Sequence, residues 1–240
     1  MTAPDILWTP LLRTLCEQLT QDGSHHTVLL YGSRADGTAD EDSDYDIAAF
    51  GPRDAEGRDT QSIGGVFLDL FLYPESALSQ PGPEWLKLRG SVVLAQRGQE
   101  ADAFLQGLDT IFTQGPPALA ADEANARISW AWKMLARMER GDAEGHYRRV
   151  WLLTSLLEDH FALRGLWFEG PKKALQWLRQ HDATTYGALE AALQPGAPTA
   201  RIREAVRCVV GPLPDSGRAE PPKPHPGCSL LQWHCRRSVC

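Results

Sequence analysis

The segment Leu30-Tyr31-Gly32-Ser33-Arg34-Ala35-Asp36-Gly37-Thr38-Ala39-Asp40-Glu41-Asp42-Ser43-Asp44-Tyr45-Asp46-Ile47 gathers residues of two chemically useful kinds. Gly32 and Ser33 come first. Glycine lets a phosphate approach the main chain, free N–H groups at a helix start attract anions, and a serine hydroxyl can donate to a phosphate oxygen. Alone, such a pair is usually no more than a turn. Asp44 and Asp46 follow, two apart in a predicted strand and so on one face of it. Paired carboxylates repel unless a cation lies between them, and two Mg²⁺ ions are the usual solution when the substrate is a nucleoside triphosphate. The plainer reading, a solvated acidic loop, fits poorly with the apolar flank Ile47-Ala48-Ala49-Phe50. A third carboxylate, Asp69, interrupts the apolar run Val66 to Leu72. A buried carboxylate without a partner is costly. If its strand lies beside that of Asp46, the three form one cluster; otherwise Asp69 sits on the open face of an edge strand.

The elements that must hold these residues are read from periodicity. Apolar residues at Leu7, Leu11, Leu12, Leu15 and Leu19 mark a helix over Ile6 to Leu19. Strands are predicted at Thr27 to Tyr31, Tyr45 to Phe50, Val66 to Leu72 and Ser91 to Ala95, and a helix over Glu100 to Phe112. Gly115-Pro116-Pro117 breaks the pattern, and helices follow over Ala120 to Arg140, His146 to Leu166, Pro171 to His181, Thr184 to Leu193 and Thr199 to Val210. Five of the eight tryptophans fall in this half, where aromatic side chains are expected to fill a bundle core. From Gly211 to Cys240 the apolar period stops and prolines accumulate, which reads as a poorly ordered tail. Cys228, His234, Cys235 and Cys240 match no common zinc spacing.

Composition excludes several classes. The 240 residues carry 24 Lys+Arg against 31 Asp+Glu, a net charge of −7, so broad binding to nucleic-acid backbones is not expected. No apolar run approaches the length of a membrane helix and the N-terminus has no layout of a secretion signal, so the expected location is the cytoplasm. Five scattered cysteines do not make a disulfide framework.

Gly32-Ser33, Asp44-Tyr45-Asp46-Ile47 and Leu68-Asp69-Leu70 together resemble the signature of the DNA polymerase beta-type nucleotidyltransferase superfamily, over about residues 25 to 95. The resemblance implies that Asp44, Asp46 and Asp69 bind two Mg²⁺ ions, with Asp69 helping to deprotonate the attacking hydroxyl. It implies that Gly32 and Ser33, with Arg34, hold the triphosphate of ATP or another nucleoside triphosphate. The expected fold class is α+β: a nucleotidyltransferase domain over residues 1–114, with a small mixed sheet and flanking helices, then an acceptor-binding helical bundle over 118–210 and a tail over 211–240. That layout resembles the antibiotic nucleotidyltransferases of the kanamycin and lincosamide type, and also the minimal nucleotidyltransferases of toxin–antitoxin systems.

The helical half adds weaker candidates. Lys172-Lys173 and His146-Tyr147-Arg148-Arg149 could steer a triphosphate, although surface charge is the simpler explanation. Glu158 is a candidate general base, subject to reach. Arg140 and His146 loosely fit a HEPN ribonuclease spacing, but Gly141 and Gly145 disfavour the single helix that motif occupies. The expected activity is transfer of AMP from ATP to a hydroxyl of a small molecule such as an aminoglycoside or lincosamide, with release of pyrophosphate. Nucleotidylation of a protein or RNA, and nucleotide binding without catalysis, are the alternatives. No membrane or duplex partner is expected, and a homodimer stays open.

Overall fold

The computed structural model describes residues 9–21, 23–63 and 65–213. The expectations for residues 6–8 and for the segment beyond 213, including its cysteines and His234, lie outside the described residues. The chain divides into two compact units, residues 1–114 and 115–240. Among the described residues no helix is long and apolar enough to cross a membrane.

The first unit is a five-stranded mixed sheet with helices on its faces. Its strands are β1 (Thr27–Tyr31), β2 (Tyr45–Gly51), β3 (Gly57–Ile63), β4 (Val66–Pro74) and β5 (Val92–Ala95), in the spatial order β3-β4-β2-β1-β5. Only β2 and β4 pair in parallel; the other neighbours are antiparallel. Helix α1 (Pro10–Gln21) lays Leu12, Leu15 and Leu19 on one face of the sheet, against Val28, Leu30, Ile47, Ala49, Leu68 and Leu70. These strand residues alternate along β1, β2 and β4, as period-2 geometry requires. On the opposite face Phe50 meets Tyr73, Trp85 and the Phe104 ring of α3 (Glu100–Gln114) in an aromatic cluster. A four-residue helix, α2 (Ser33–Asp36), follows β1 directly.

The sequence reading contained no strand between Gly51 and Val66. β3 is nevertheless there, and its run Arg58-Asp59-Thr60-Gln61-Ser62 is polar on both faces because it pairs with β4 alone, at the sheet edge. The available signal was Gly64-Gly65, a hairpin dipeptide, and Gly65 takes φ +85° at that turn.

Among the described residues the second unit holds helices and no strand: α4 (Ala121–Met138), α5 (Ala143–Leu163), α6 (Pro171–His181), α7 (Ala183–Leu193) and α8 (Thr199–Val210). Ala124, Ile128, Ala131, Leu135 and Met138 form the buried stripe of α4 at steps of three and four residues. They join Leu152, Leu156, Leu178, Leu189, Ile202, Val206 and Val209 in one core. α5 begins three residues before the expected His146 because the Asp142 carboxylate accepts from Gly145 N–H at 2.8 Å and caps it. Arg140 and His146 therefore stand on opposite sides of a helix start rather than on one helix. Trp130, Trp132 and Trp177 pack against the core as expected, whereas Trp151 is 47% exposed.

Candidate active site

The parallel pairing of β2 with β4 places Asp46 directly opposite Asp69. Tyr31 is the partner of Asp46 on β1, and Thr60 is the partner of Asp69 on β3, so Thr60, Asp69, Asp46 and Tyr31 form one row across four strands. Gly32, the next residue along β1, takes φ +71°. A Cβ built on it would run into the Asp46 Oδ2 and Cγ atoms. Glycine is thus required there twice over, for its backbone angle and for the close approach of the carboxylate.

The sequence reading put Asp44 and Asp46 in one strand. β2 begins at Tyr45, so Asp44 lies at the end of the preceding loop. Arg34 governs that loop: its Nε donates to the carbonyls of Ser43 at 3.0 Å and Asp44 at 3.2 Å, and its guanidinium lies 4.1 Å from the Tyr45 ring centroid. Expected as a nucleotide contact, Arg34 in this structure braces the backbone that presents Asp44. The loop is further closed by Ser43 Oγ, which donates to Asp40 Oδ1 at 2.6 Å.

Negative charge converges at the row. Partial burial pushes the Asp46 carboxyl above the usual carboxylate range, the charges of Asp69 and Asp44 push it further, and the Lys87 ammonium opposes them. Burial, with Asp46, Tyr73 and Asp69 nearby, holds the Tyr31 phenol far above its ordinary range, so it stays protonated. Two cations lean in from the surrounding chain. Arg58 binds Asp69 as a fork, Nε to Oδ1 and Nη2 to Oδ2, both at 2.7 Å. Lys87 donates to the Tyr73 hydroxyl at 2.9 Å. Both cations sit over the Phe71 ring, the Arg58 guanidinium 5.0 Å and the Lys87 ammonium 4.4 Å from its centroid. Tyr31 and Arg58 are not visible from local spacing, because cross-strand neighbours are set by register, and Lys87 arrives from a short 3-10 turn, Pro83–Leu88, outside the sheet.

Among the described residues no three His, Cys, Asp or Glu side chains lie close enough to hold a cation by themselves. The donor set suits Mg²⁺ in kind, since that ion is commonly held by one or two carboxylates while phosphate oxygens and water complete its octahedron.

Residues 12–93, which contain every member of this row, match the nucleotidyltransferase domain family. The first unit carries this nucleotidyltransferase match. The superfamily read from Gly32-Ser33, Asp44, Asp46 and Asp69 thus holds, as does the α+β fold. Among solved structures, a nucleotidyltransferase-like protein from Exiguobacterium sibiricum 255-15 is similar at 14% identity, over 81% of this chain and 70% of that one, with a TM-score of 0.43. No curated protein matches the chain.

Glu158 and Lys172 lie outside the nucleotidyltransferase domain, in the helical unit. Glu158 is exposed on α5 and lines an open groove of about 320 Å³ with Trp130, Trp151, Ser155 and Asp159. Its neighbour Asp159 is buried, and Arg127 Nη1 donates to it at 2.8 Å. Lys172 is exposed in the first turn of α6. Of the basic run at 146–149, Arg148 binds Glu144 and Arg149 donates to the Ala197 carbonyl at 2.7 Å, which are contacts inside the bundle.

Proposed function

We propose that this protein transfers a nucleoside monophosphate, AMP from ATP first, to a hydroxyl of a small-molecule acceptor and releases pyrophosphate. The observation that carries the reading is the register of Asp46 with Asp69, set against the glycine that the Asp46 carboxylate touches. Gly32 and Ser33 take the triphosphate from the β1 side. Asp44 and Asp46, with Asp69, would hold Mg²⁺. Bound there, the metal supplies neutralisation of the charge on the attacking and leaving oxygens.

The direction of attack follows from this assignment. In an in-line displacement the nucleophile and the leaving pyrophosphate lie on opposite sides of the α-phosphorus. With the triphosphate at Gly32-Ser33, the acceptor approaches from the Asp69 side of the row. Its oxygen forms the new bond to the α-phosphorus, the bond from that phosphorus to the α,β-bridging oxygen breaks, and the hydroxyl proton passes to the Asp69 carboxylate. Tyr31, held protonated, remains a hydrogen-bond donor throughout.

For the acceptor we favour an aminated sugar or a lincosamide. The net charge of −7 suits a cationic molecule, and the helical unit carries an aromatic groove edged by Glu158. The test is a pyrophosphate-release assay with the four common nucleoside triphosphates and Mg²⁺, across aminocyclitols, lincosamides and other hydroxylated acceptors, with Asp46→Ala as the blank. Release above the blank is expected. Silence with every aminocyclitol and lincosamide removes that acceptor class, and silence with every acceptor removes the transferase reading.

A further inference from the structure

Arg58 presents a conflict with the reading just given, on which the following inference rests. Both oxygens of Asp69 are engaged by the Arg58 fork at 2.7 Å, and Asp69 is the residue assigned to a cation and to the hydroxyl proton. The fork takes a lone pair of each oxygen and sets a positive charge beside the carboxylate, so it competes with a divalent ion for Asp69.

We propose that Arg58 is a plug for the third carboxylate: it occupies Asp69 in the nucleotide-free protein and must leave before Asp69 can take a divalent cation. Three features of the chain suit it to this. Arg58 sits on edge strand β3, opposite Phe71 and diagonal to Asp69, so its side chain reaches Asp69 across the sheet face. Asp69 is largely buried while Arg58 is 57% exposed, so the cation can swing into solvent while the carboxylate stays in place. Phe71 gives the guanidinium a second partner, its ring centroid 5.0 Å away, so the Arg58 side chain does not depend on Asp69 alone. The charges of Asp69 and Asp44 both act on Asp46, opposed by Lys87, and without the plug the Asp69 charge would be unpaired as well. With it, the Asp69 charge is paired until triphosphate oxygens arrive to share a metal ion. Arg58 is therefore a positioning residue, and it couples metal occupancy to the presence of nucleotide.

The experiment measures Mn²⁺ binding by the full-length protein, by calorimetry and by the electron paramagnetic resonance of free Mn²⁺. It is run without nucleotide and again with a non-hydrolysable ATP analogue. The proteins are wild type, Arg58→Ala, Arg58→Lys, Asp69→Asn and the double variant Arg58→Ala/Asp69→Asn. Circular dichroism confirms that each is folded. Without nucleotide, Arg58→Ala is expected to bind Mn²⁺ about tenfold more tightly than wild type, or to take up a further equivalent. Arg58→Lys, which keeps the charge but loses the fork, falls in between. In the Asp69→Asn background the Arg58 substitution is expected to change nothing, and with the ATP analogue the gap between wild type and Arg58→Ala is expected to narrow. Equal nucleotide-free affinities for wild type and Arg58→Ala, or a gain that survives in Asp69→Asn, overturn the plug while wild-type binding with the analogue leaves the transferase reading standing. Absence of Mn²⁺ binding by wild type even with the analogue overturns both.

Discussion

Gly32 concentrates the constraints on the site in one residue. Its φ of +71° is unfavourable for any side chain with a Cβ, and the space a Cβ would need is filled by the Asp46 carboxylate. Gly32→Ala must therefore displace the carboxylate or the turn. Pyrophosphate release is expected to fall at least tenfold, and the thermal midpoint to drop by an amount consistent with about 1–3 kcal/mol of strain. Wild-type turnover in that variant would mean that Asp46 does not work from this position. At this scale the acidic residues were legible in the sequence, because Asp-x-Asp and a charge inside an apolar run are local patterns. Arg58 and Lys87 were not. Each reaches the row from an element whose placement depends on how the sheet pairs, and nothing in Gly57-Arg58-Asp59 or Trp85-Leu86-Lys87 records it.

Among the elements, those with a strong period or an unambiguous stop were readable from sequence. Pro171–His181 and Thr199–Val210 coincide with the expected helices, since proline at a first turn and glycine after a last one leave little freedom. β3 escaped because an edge strand solvated on both faces has no apolar alternation to read. Capping fixes other boundaries, and Asp182 is the case with a measurable signature. Its Oδ1 accepts from Thr185 N–H at 3.0 Å and its Oδ2 from the Thr185 hydroxyl at 2.7 Å, at the start of α7. Partial burial works against its charge, but these hydrogen bonds, with His160 and Arg164 nearby, outweigh that and hold its pKa below the usual carboxylate range. A lowered folded pKa means that the stabilisation is fully present above the unfolded value, about 3.9, and is lost as pH falls through the folded value. Asp182→Ala should cost about 1 kcal/mol at neutral pH in urea unfolding. The difference from wild type should shrink as the pH is taken below about 4. A difference that does not change with pH would assign the loss to packing instead.

At the scale of the whole molecule the two units have separate cores. The large helical cluster draws its buried residues from Ala124 to Val210, and the α1-facing sheet core draws its own from Leu12 to Leu70. A fragment spanning residues 115–213 is therefore expected to fold by itself, with a cooperative thermal transition in helical circular dichroism. A featureless melt would show that the helical core depends on the first unit. Five tryptophans, Trp130, Trp132, Trp151, Trp167 and Trp177, belong to this fragment, so their fluorescence should report its unfolding.

The parallel union of β2 with β4 also sets the moment at which the site comes into being. The β3–β4 hairpin is local, whereas the β2–β4 ladder joins residues about twenty positions apart and must close a loop before it gains any bond. Asp46 and Asp69 meet only when that ladder forms, so their mutual repulsion belongs to the finished protein and to late steps of its assembly. Burial first, and that repulsion after it, raise the pKa of Asp46: its charged form, dominant above that pKa, weakens the metal-free fold. Asp46→Asn should accordingly unfold more slowly than wild type at neutral pH while refolding at nearly the same rate, and this advantage should fade as pH falls through the Asp46 pKa. Stopped-flow unfolding in urea at two pH values would reveal it, and an accelerated refolding limb would instead place the carboxylates together early in folding.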